Sequence, residues 1–211
     1  MAVTRPALHE ASAELGGRDP VLASLIERHG PPPRRRRVPG RERFASLAQT
    51  IVYQQLAGKA AASIHGRLVV GLGGVVTPEA VLAATPETLA SCGLSRAKAA
   101  SIRDLAQQVV AGSVQLDRIG RLPDDEVVDH LTRVRGIGPW TAQMFLIGAL
   151  GRLDVWPVGD YGVRAGFARA WGLDAVPSPK ELGDLGEPFR PYRSLVAWYC
   201  WRAVDDPTAA D

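Results

Sequence analysis

Repeated helix-start signals are the feature that most constrains the fold of this chain. Two Thr-Pro-Glu tripeptides, beginning at Thr77 and Thr85, each place a capping hydroxyl before a proline that suits the first helical position. Ser178 and Glu181 have the spacing of a capping box. Apolar residues recur at helical spacing, as in 102–109, and no long stretch alternates with a period of two. The sequence therefore predicts an all-α fold.

The helices are expected in one main domain with short flanking segments. Residues 1–40 are predicted to hold an N-terminal helix and a basic Pro/Arg linker, 41–205 the main domain of two helical lobes, and 206–211 a tail. The linker segment Pro31–Arg37 is interpreted as a solvated spacer, with a phosphate clamp as the alternative. Helices are expected over about 19–29, 42–57, 59–71, 78–84, 86–91, 96–111, 123–133, 140–150, 161–171, 179–184 and 188–204.

Composition excludes several classes of protein. The 211 residues are 46% hydrophobic, enough to bury a core, and the net charge of +3 agrees only weakly with a polyanionic partner. Cys92 and Cys200 lack the spacing of a disulfide framework, a zinc site or an iron–sulfur cluster. The chain shows no signal peptide, and its most apolar run, Met144–Leu150, is too short to span a bilayer. We therefore expect a cytoplasmic protein with no membrane partner.

The segment Leu131–Ala142 has the pattern of two helices joined by a glycine-bracketed turn. Gly136 and Gly138 permit backbone angles that a side chain would obstruct, and Ile137 between them can plug into the interior. We expect the N–H groups near Gly138, Thr141 and Ala142 to point outward at the start of the second helix, where they would bind a phosphate. Taken alone, the two glycines favour the alternative, an ordinary helical hairpin in which they only turn the chain.

This turn and the loop that follows resemble the helix–hairpin–helix (HhH-GPD) DNA glycosylase superfamily. In that superfamily the hairpin precedes a loop rich in Gly and Pro and then a catalytic aspartate, and Val155–Arg164 places Asp160 at that position. The likeness covers roughly residues 40–205. It is strongest to the alkylpurine glycosylases, in a compact form without their N-terminal sheet domain, and implies an active-site cleft between two helical lobes. The stretches that support it are Tyr53–Leu56, Gly93–Ala99 and Arg190–Ser194.

Asp160 is the candidate catalytic residue. The resemblance implies an enzyme that flips a damaged base out of double-stranded DNA and hydrolyses its N-glycosidic bond, leaving an abasic site. Positive charge develops on the sugar as the base leaves, and a fixed carboxylate stabilises that charge and can orient the attacking water. The alternative is that Asp160 only caps the helix that begins at Tyr161. The two roles are compatible, because a cap also fixes the orientation of the carboxylate.

Aromatic residues are the candidates for the base pocket. Relatives that also nick the backbone carry a lysine at the position of Trp140, so the resemblance implies a monofunctional enzyme here. The Trp140 ring would stack on a flipped base and favour a cationic alkylpurine, with a core tryptophan as the alternative. Tyr161, Tyr192 and Trp198 are further candidate walls, although aromatics at helical spacing more often pack in a core. Met144 lies one turn beyond Trp140, where some relatives have an aromatic residue.

The resemblance also implies a wedge side chain that fills the gap left by the flipped base. Leu94 and Ser95 are the candidates, and Ser95 equally suits the cap of the next helix. Arg96 and Lys98 are expected either to contact phosphates or to face solvent.

The family's hairpin often holds a monovalent cation through backbone carbonyls, which here would be those of Gly136 and Gly138. No iron–sulfur cluster is expected, and the protein is expected to be a monomer. Two alternatives stay open. One is a related glycosylase for deaminated, oxidised or mismatched bases, with or without lyase activity, and the other is a DNA-binding protein that lacks catalysis.

Overall fold

The computed structural model describes residues 5–33 and 36–206, and within these residues every regular element is helical. The α-helices of this part of the chain are α1 Arg5–Arg18, α2 Pro20–His29, α3 Arg43–Tyr53, α4 Gly58–Gly71, α5 Pro78–Ala83, α6 Pro86–Ser91, α7 Arg96–Val110, α8 Asp124–Thr132, α9 Pro139–Gly148, α10 Tyr161–Ala170, α11 Pro179–Leu185 and α12 Arg193–Asp205. Short 3-10 helices cover Gly40–Glu42, Ile119–Arg121 and Glu187–Phe189. The predicted all-α class is confirmed. None of the described helices is both long and apolar enough to cross a membrane.

The helix starts follow the capping signals of the sequence. Thr77, Thr85 and Ser95 each accept a hydrogen bond from the backbone N–H three residues later. Ser178 and Glu181 form a complete capping box, with both reciprocal hydrogen bonds present. These starts are correct because the capping bond is local and needs only three or four consecutive residues.

Three helix predictions differ from the structure. Helix α1 was not expected over 5–18, because its buried positions include the small residues Ala11 and Ser12, which weaken the apolar signal. The helix expected over 42–57 ends at Tyr53, where the backbone turns sharply through Gln54. The helix expected over 188–204 is interrupted: a 3-10 turn ends at Phe189, and α12 begins only after Pro191.

The chain divides into two compact units. The first, named the N/C lobe here, joins the described residues up to Arg37 with those from Gly151 onward, and the second, the middle lobe, is Val38–Leu150. The N-terminal helices therefore belong to the same unit as the C-terminal ones, which differs from the expected boundary near residue 40. Arg34 and Arg35 of the basic linker, and 207–211 of the expected tail, lie outside the described residues.

Helix α12 is the centre of the N/C lobe, where it packs against α10 and α2. A Cβ on Gly166 of α10 would overlap the carbonyl of Cys200, so these two helices approach each other more closely than side chains would permit. The buried Tyr199 hydroxyl donates to the carbonyl of Gly30 at 3.1 Å and hydrogen-bonds with the Ser12 hydroxyl at 3.2 Å. These contacts attach the N-terminal helices to α12.

Helix α3 is the centre of the middle lobe and packs against α4, α7 and α9. Its apolar face is fully buried through Leu47, Ile51 and Val52, each with no exposed surface. Fully burying each such side chain contributes about 1.5–3 kcal/mol, so this face holds the hairpin helices in place. The C-terminus of α3 points toward the glycine turn between α8 and α9, as the hydrogen bonds of Gln54 described below show.

Candidate functional site

Asp160 lies at the N-cap of α10 in the N/C lobe. Its Oδ1 accepts a hydrogen bond from the backbone N–H of Val163 at 2.8 Å, which confirms the predicted cap. The same oxygen accepts from the indole Nε1 of Trp201 at 3.0 Å. Two donors from separate elements fix the carboxylate at the positive end of the helix dipole, where a negative charge is stabilised. Asp160 therefore caps α10 and also has a carboxylate with a fixed orientation.

Trp201 is the residue near Asp160 that the sequence analysis did not single out. It is one of several aromatics in the last helix, and its partner is 41 residues away in the chain. Gly162 makes room for it, because a Cβ there would lie 3.1 Å from both Trp201 Cδ1 and Asp160 Oδ1. The small residue after Tyr161 thus has a packing reason: it permits the indole to reach the carboxylate.

The loop that carries Asp160 is held by the start of α12. Ser194 accepts from the N–H of Val155 at 2.9 Å and donates to the carbonyl of the same residue at 3.2 Å. The indole of Trp156 donates to the carbonyl of Leu182 at 2.7 Å in the lobe interior. Removing one partner of a buried hydrogen bond of this kind destabilises the fold by about 1–3 kcal/mol. These bonds therefore hold the loop rigidly.

Arg193 adds an ion pair to the same attachment. Its guanidinium contacts both carboxylate oxygens of Asp154, at 2.8 and 3.1 Å, and also donates to the Asp154 carbonyl. Glu187 and Arg190 extend this pair into a network at the surface. The Arg190–Ser194 stretch, which carried part of the family likeness, therefore positions the loop that leads to Asp160.

The Cys200 thiol is not available as a nucleophile in this lobe. Burial raises the pKa of its thiol far above the ordinary range, so the group stays protonated at neutral pH. Its side chain has no exposed surface. Asp160 remains the reactive candidate of the loop.

The candidate aromatic residues of this lobe occupy different environments. Tyr161 follows Asp160 directly and is 69% exposed, so its ring is accessible. Trp198 is half-buried against the core and meets the Tyr199 ring edge-on at 5.0 Å, which indicates packing. Both residues were predicted as pocket walls, and the exposed surface favours Tyr161.

Tyr192 contacts side chains of α1. It precedes α12 and is nine residues from Trp201, a separation of about 13 Å along a helix. Its hydroxyl hydrogen-bonds to Glu14, which raises the pKa of the phenol, and the Arg18 guanidinium lies 6.0 Å from its ring. Tyr192 therefore packs against α1, a helix that was not predicted from the sequence, and its base-pocket role stays a prediction.

The glycine turn of the middle lobe has the predicted backbone geometry. Gly136 has a φ of 75°, and a Cβ there would collide with the hydroxyl of Ser101. Ile137 is 3% exposed, which confirms that it plugs into the interior. Gly138 is the N-cap of α9 and supplies no side-chain cap. An anion at this end of α9 would therefore meet backbone N–H groups directly.

One of the expected phosphate-binding N–H groups, and the side chain of a second expected position, are used internally. The N–H of Ala142 donates to the carbonyl of Gly138 at 3.1 Å and closes the first turn of α9, so the expectation that it points outward is wrong. The Thr141 side chain is 2% exposed, and its Oγ1 accepts from Gln54 Nε2 at 2.9 Å. The N–H groups that precede Ala142 are the ones left for an anion.

The carbonyls proposed for a monovalent cation each accept a hydrogen bond within the lobe. The Gly136 carbonyl accepts from Gln54 Nε2 at 3.1 Å, and the Gly138 carbonyl accepts from Ala142. The second carbonyl points along α9, because it takes part in the helical ladder. Each carbonyl oxygen has a second lone pair, so these hydrogen bonds leave the monovalent cation site a prediction.

Leu94 is less exposed than a wedge residue requires, and Ser95 has a capping role. Leu94 is 7% exposed and belongs to the core, so it cannot enter a duplex without local unfolding. Ser95 caps α7 through the N–H of Lys98 at 3.3 Å. A different leucine is accessible: Leu56 is 39% exposed and follows Gln55, whose φ of 54° is unusual for a residue other than glycine.

Trp140 and Met144 lie one helical turn apart on α9. Trp140 is 38% exposed and Met144 is half-buried, so neither is enclosed in the core. The exposed indole is consistent with stacking on a planar ligand. Position 140 offers no amine, and the nearby lysine on α7, Lys98, has its amine turned toward backbone carbonyls.

Comparisons with known proteins agree with this geometry. Residues 48–191 match the sequence profile of a family described as HhH-GPD superfamily base excision DNA repair protein. The chain is 30% identical to DNA-3-methyladenine glycosylase 1 of Schizosaccharomyces pombe, over 92% of this chain and 87% of that protein. It is 32% identical to the DNA-3-methyladenine glycosylase of Saccharomyces cerevisiae, over 79% of this chain and 68% of that protein.

A comparison with solved structures agrees with these sequence matches. The structure of the Schizosaccharomyces pombe 3-methyladenine DNA glycosylase in complex with abasic DNA superimposes with a TM-score of 0.85 at 29% identity. The match covers 94% of this chain and 98% of that one.

Proposed function

Because the chain belongs to the HhH-GPD superfamily of base excision DNA repair proteins, we propose that it removes alkylated purines of the 3-methyladenine type from double-stranded DNA. It hydrolyses the N-glycosidic bond and leaves an abasic site. The observation that carries this proposal is the fixed carboxylate of Asp160, held by Val163 and Trp201. A DNA-binding protein without catalysis has no need for a carboxylate that is fixed in this way.

The chemistry requires the damaged nucleotide to leave the helical stack, at a cost of a few kcal/mol that is smallest for poorly paired bases. As the base departs, positive charge develops on the sugar, and the Asp160 carboxylate stabilises it electrostatically. The two hydrogen bonds to Oδ1 support this role, because a carboxylate that is already oriented needs no reorganisation during the reaction. The same carboxylate is suited to accept a proton from the attacking water.

The middle lobe supplies DNA binding in this proposal. The turn at Gly136–Gly138 and the open start of α9 bind a backbone phosphate without reading sequence, which suits an enzyme that must examine any duplex. Leu56 replaces Leu94 as the proposed wedge, because it is exposed and lies in a turn attached to the hairpin by Gln54. Its insertion would fill the space of the flipped base.

Trp140 supports two details of the proposal, namely the absence of lyase activity and the preference for cationic bases. An amine is required for the Schiff base of a lyase, and tryptophan offers none, so the enzyme is expected to be monofunctional. An exposed indole face attracts a cationic alkylpurine more strongly than a neutral base. We further place the enzyme in the cytoplasm, at the nucleoid if the source is bacterial, acting as a monomer.

One assay tests the proposal. The protein is incubated with a duplex that carries a single methylated purine, and the products are divided between neutral and alkaline treatment. We expect strand breaks only after alkali, because hydrolysis leaves an abasic site that the protein itself does not cut. Breaks at neutral pH would indicate a lyase, and an intact strand after alkali would remove the alkylpurine assignment.

A further inference from the structure

We propose that Lys98 and Gln54 are positioning residues that fix the Gln55–Leu56 turn against the hairpin. Phosphate binding by the hairpin and insertion of Leu56 into the duplex then occur as one coupled event. This inference rests on the proposed function, because it assigns a role to residues of the same DNA-binding surface. All of these residues belong to the middle lobe.

The Lys98 amine lies at the C-terminus of α3. Its Nζ donates to the carbonyls of Val52 and Gln54, at 2.7 Å each. These carbonyls stand at the C-terminus of α3, where the helix leaves backbone oxygens without intrahelical donors and where a cation is favoured. Burial lowers the pKa of Lys98, in agreement with an amine withdrawn from solvent. Lys98 is therefore not the solvent-facing or phosphate-binding lysine that its sequence position suggested.

The Gln54 side chain contacts the hairpin. Its Nε2 donates to the Gly136 carbonyl at 3.1 Å and to Thr141 Oγ1 at 2.9 Å. One amide thus contacts the turn of the hairpin and the first turn of α9, which are the two components of the proposed phosphate site. Since Lys98 holds the Gln54 carbonyl and the hairpin holds its side chain, this residue is fixed from both directions.

The backbone of Gln55, immediately after Gln54, is strained. Gln55 has a φ of 54°, a left-handed conformation that costs a side-chain-bearing residue free energy. Such a conformation persists only where its neighbours determine it. Here the neighbours that do so are the hydrogen bonds of Lys98 and Gln54, and the result is that Leu56 is turned outward and 39% exposed.

The test is a double-mutant cycle on wedge insertion. The probe is a duplex in which 2-aminopurine lies opposite an abasic-site analogue, so that insertion of a side chain unstacks the probe and raises its fluorescence. We expect Leu56→Ala to lower the affinity measured by fluorescence about tenfold in the wild-type background. In a Lys98→Met background the same change should cost less than about twofold, because Leu56 is no longer held in place.

Matched variants separate coupling from general damage. Lys59→Met removes an exposed lysine of the same lobe, and in that background Leu56→Ala should keep its tenfold effect. Lys98→Arg retains donors for the two carbonyls and should restore most of the coupling. If Lys98→Met does not fold, Gln54→Leu provides the second background, and its coupling should be lost in the same way. An equal effect of Leu56→Ala in all backgrounds would overturn the proposal.

The result is independent of the proposed chemistry. The abasic-site analogue opposite the probe carries no base and therefore has no N-glycosidic bond to cut, so the fluorescence cycle reports insertion alone. Base release from methylated DNA is measured with the same wild-type preparation. Failure of base release would contradict the proposed function, whereas additive effects in the cycle would contradict only the positioning role of Lys98 and Gln54.

Discussion

The indole Nε1 of Trp201 lies 3.0 Å from Oδ1 of Asp160, the same oxygen that caps α10 through the N–H of Val163. The N/C lobe contains a second arrangement of this kind. Trp171 Nε1 lies 3.1 Å from Oδ2 of Asp19, and the other oxygen of this carboxylate caps α2. The two pairs are chemically alike, but only the first involves the proposed catalytic carboxylate, so the second provides an internal control.

Replacing Asp160 by Asn separates catalysis from capping. Asparagine caps helices about as well as aspartate, so the thermal midpoint of unfolding should change little. Loss of the negative charge should lower base release from methylated DNA at least ~10²-fold, while binding to the duplex is largely retained. Single-turnover release and a binding titration measure the two quantities. Release at the normal rate would show that the carboxylate is only a cap.

Trp201→Phe retains an aromatic ring and removes the N–H donor to Asp160. We expect the single-turnover rate to fall about 10- to 100-fold with little loss of DNA affinity, because a misoriented carboxylate stabilises the transition state less well. Trp171→Phe makes the same chemical change at Asp19 and should leave the rate unchanged. Equal rate losses in both variants would indicate a general packing effect instead.

Borohydride trapping tests the absence of a Schiff base. With a methylated duplex and sodium borohydride we expect no covalent protein–DNA adduct, because position 140 is tryptophan and the Lys98 amine is bonded to backbone carbonyls. A glycosylase with known lyase activity serves as the positive control. An adduct that runs as a larger band on a denaturing gel would contradict the monofunctional assignment.

Trp140→Ala tests the preference for cationic bases. Stacking on an aromatic ring contributes about 1–3 kcal/mol per base, and a positive charge on the base adds a cation–π term. Release of 7-methylguanine or 3-methyladenine should therefore decrease more than release of neutral hypoxanthine. The ratio of the two rates is the measurement. A ratio that does not change would show that the exposed indole does not distinguish charge.

Leu56 and Leu94 give opposite expectations when each is replaced by alanine. Leu94 is 7% exposed, so its truncation should lower the free energy of unfolding by about 2–5 kcal/mol without a specific effect on catalysis. Leu56 is 39% exposed, so its truncation should leave the thermal midpoint unchanged and lower base release about tenfold. If the Leu94 variant lost activity at full stability, the wedge would lie there.

The sequence by itself determined the features that depend on consecutive residues. The capping positions Thr77, Thr85 and Ser178 started helices where expected, and Asp160 was correctly predicted as the cap of α10. The glycine turn around Ile137 was likewise predicted, because a positive φ and a buried plug are requirements of a few neighbouring positions. Local hydrogen bonds and backbone sterics act over three or four residues, and a sequence states them directly.

The tertiary structure alone decided which distant residues complete those local elements. Trp201 reaches Asp160 across 41 positions, and Gln54 reaches the Gly136 carbonyl across 82. Many aromatic and amide residues in the chain were equally plausible partners, since nothing in a linear pattern encodes a contact between separate helices. The packing of α10 on α12 and of α3 on α9 selects the actual ones. The carboxylate was evident from its neighbours in the chain, and the groups that hold it became evident only when the helices were packed.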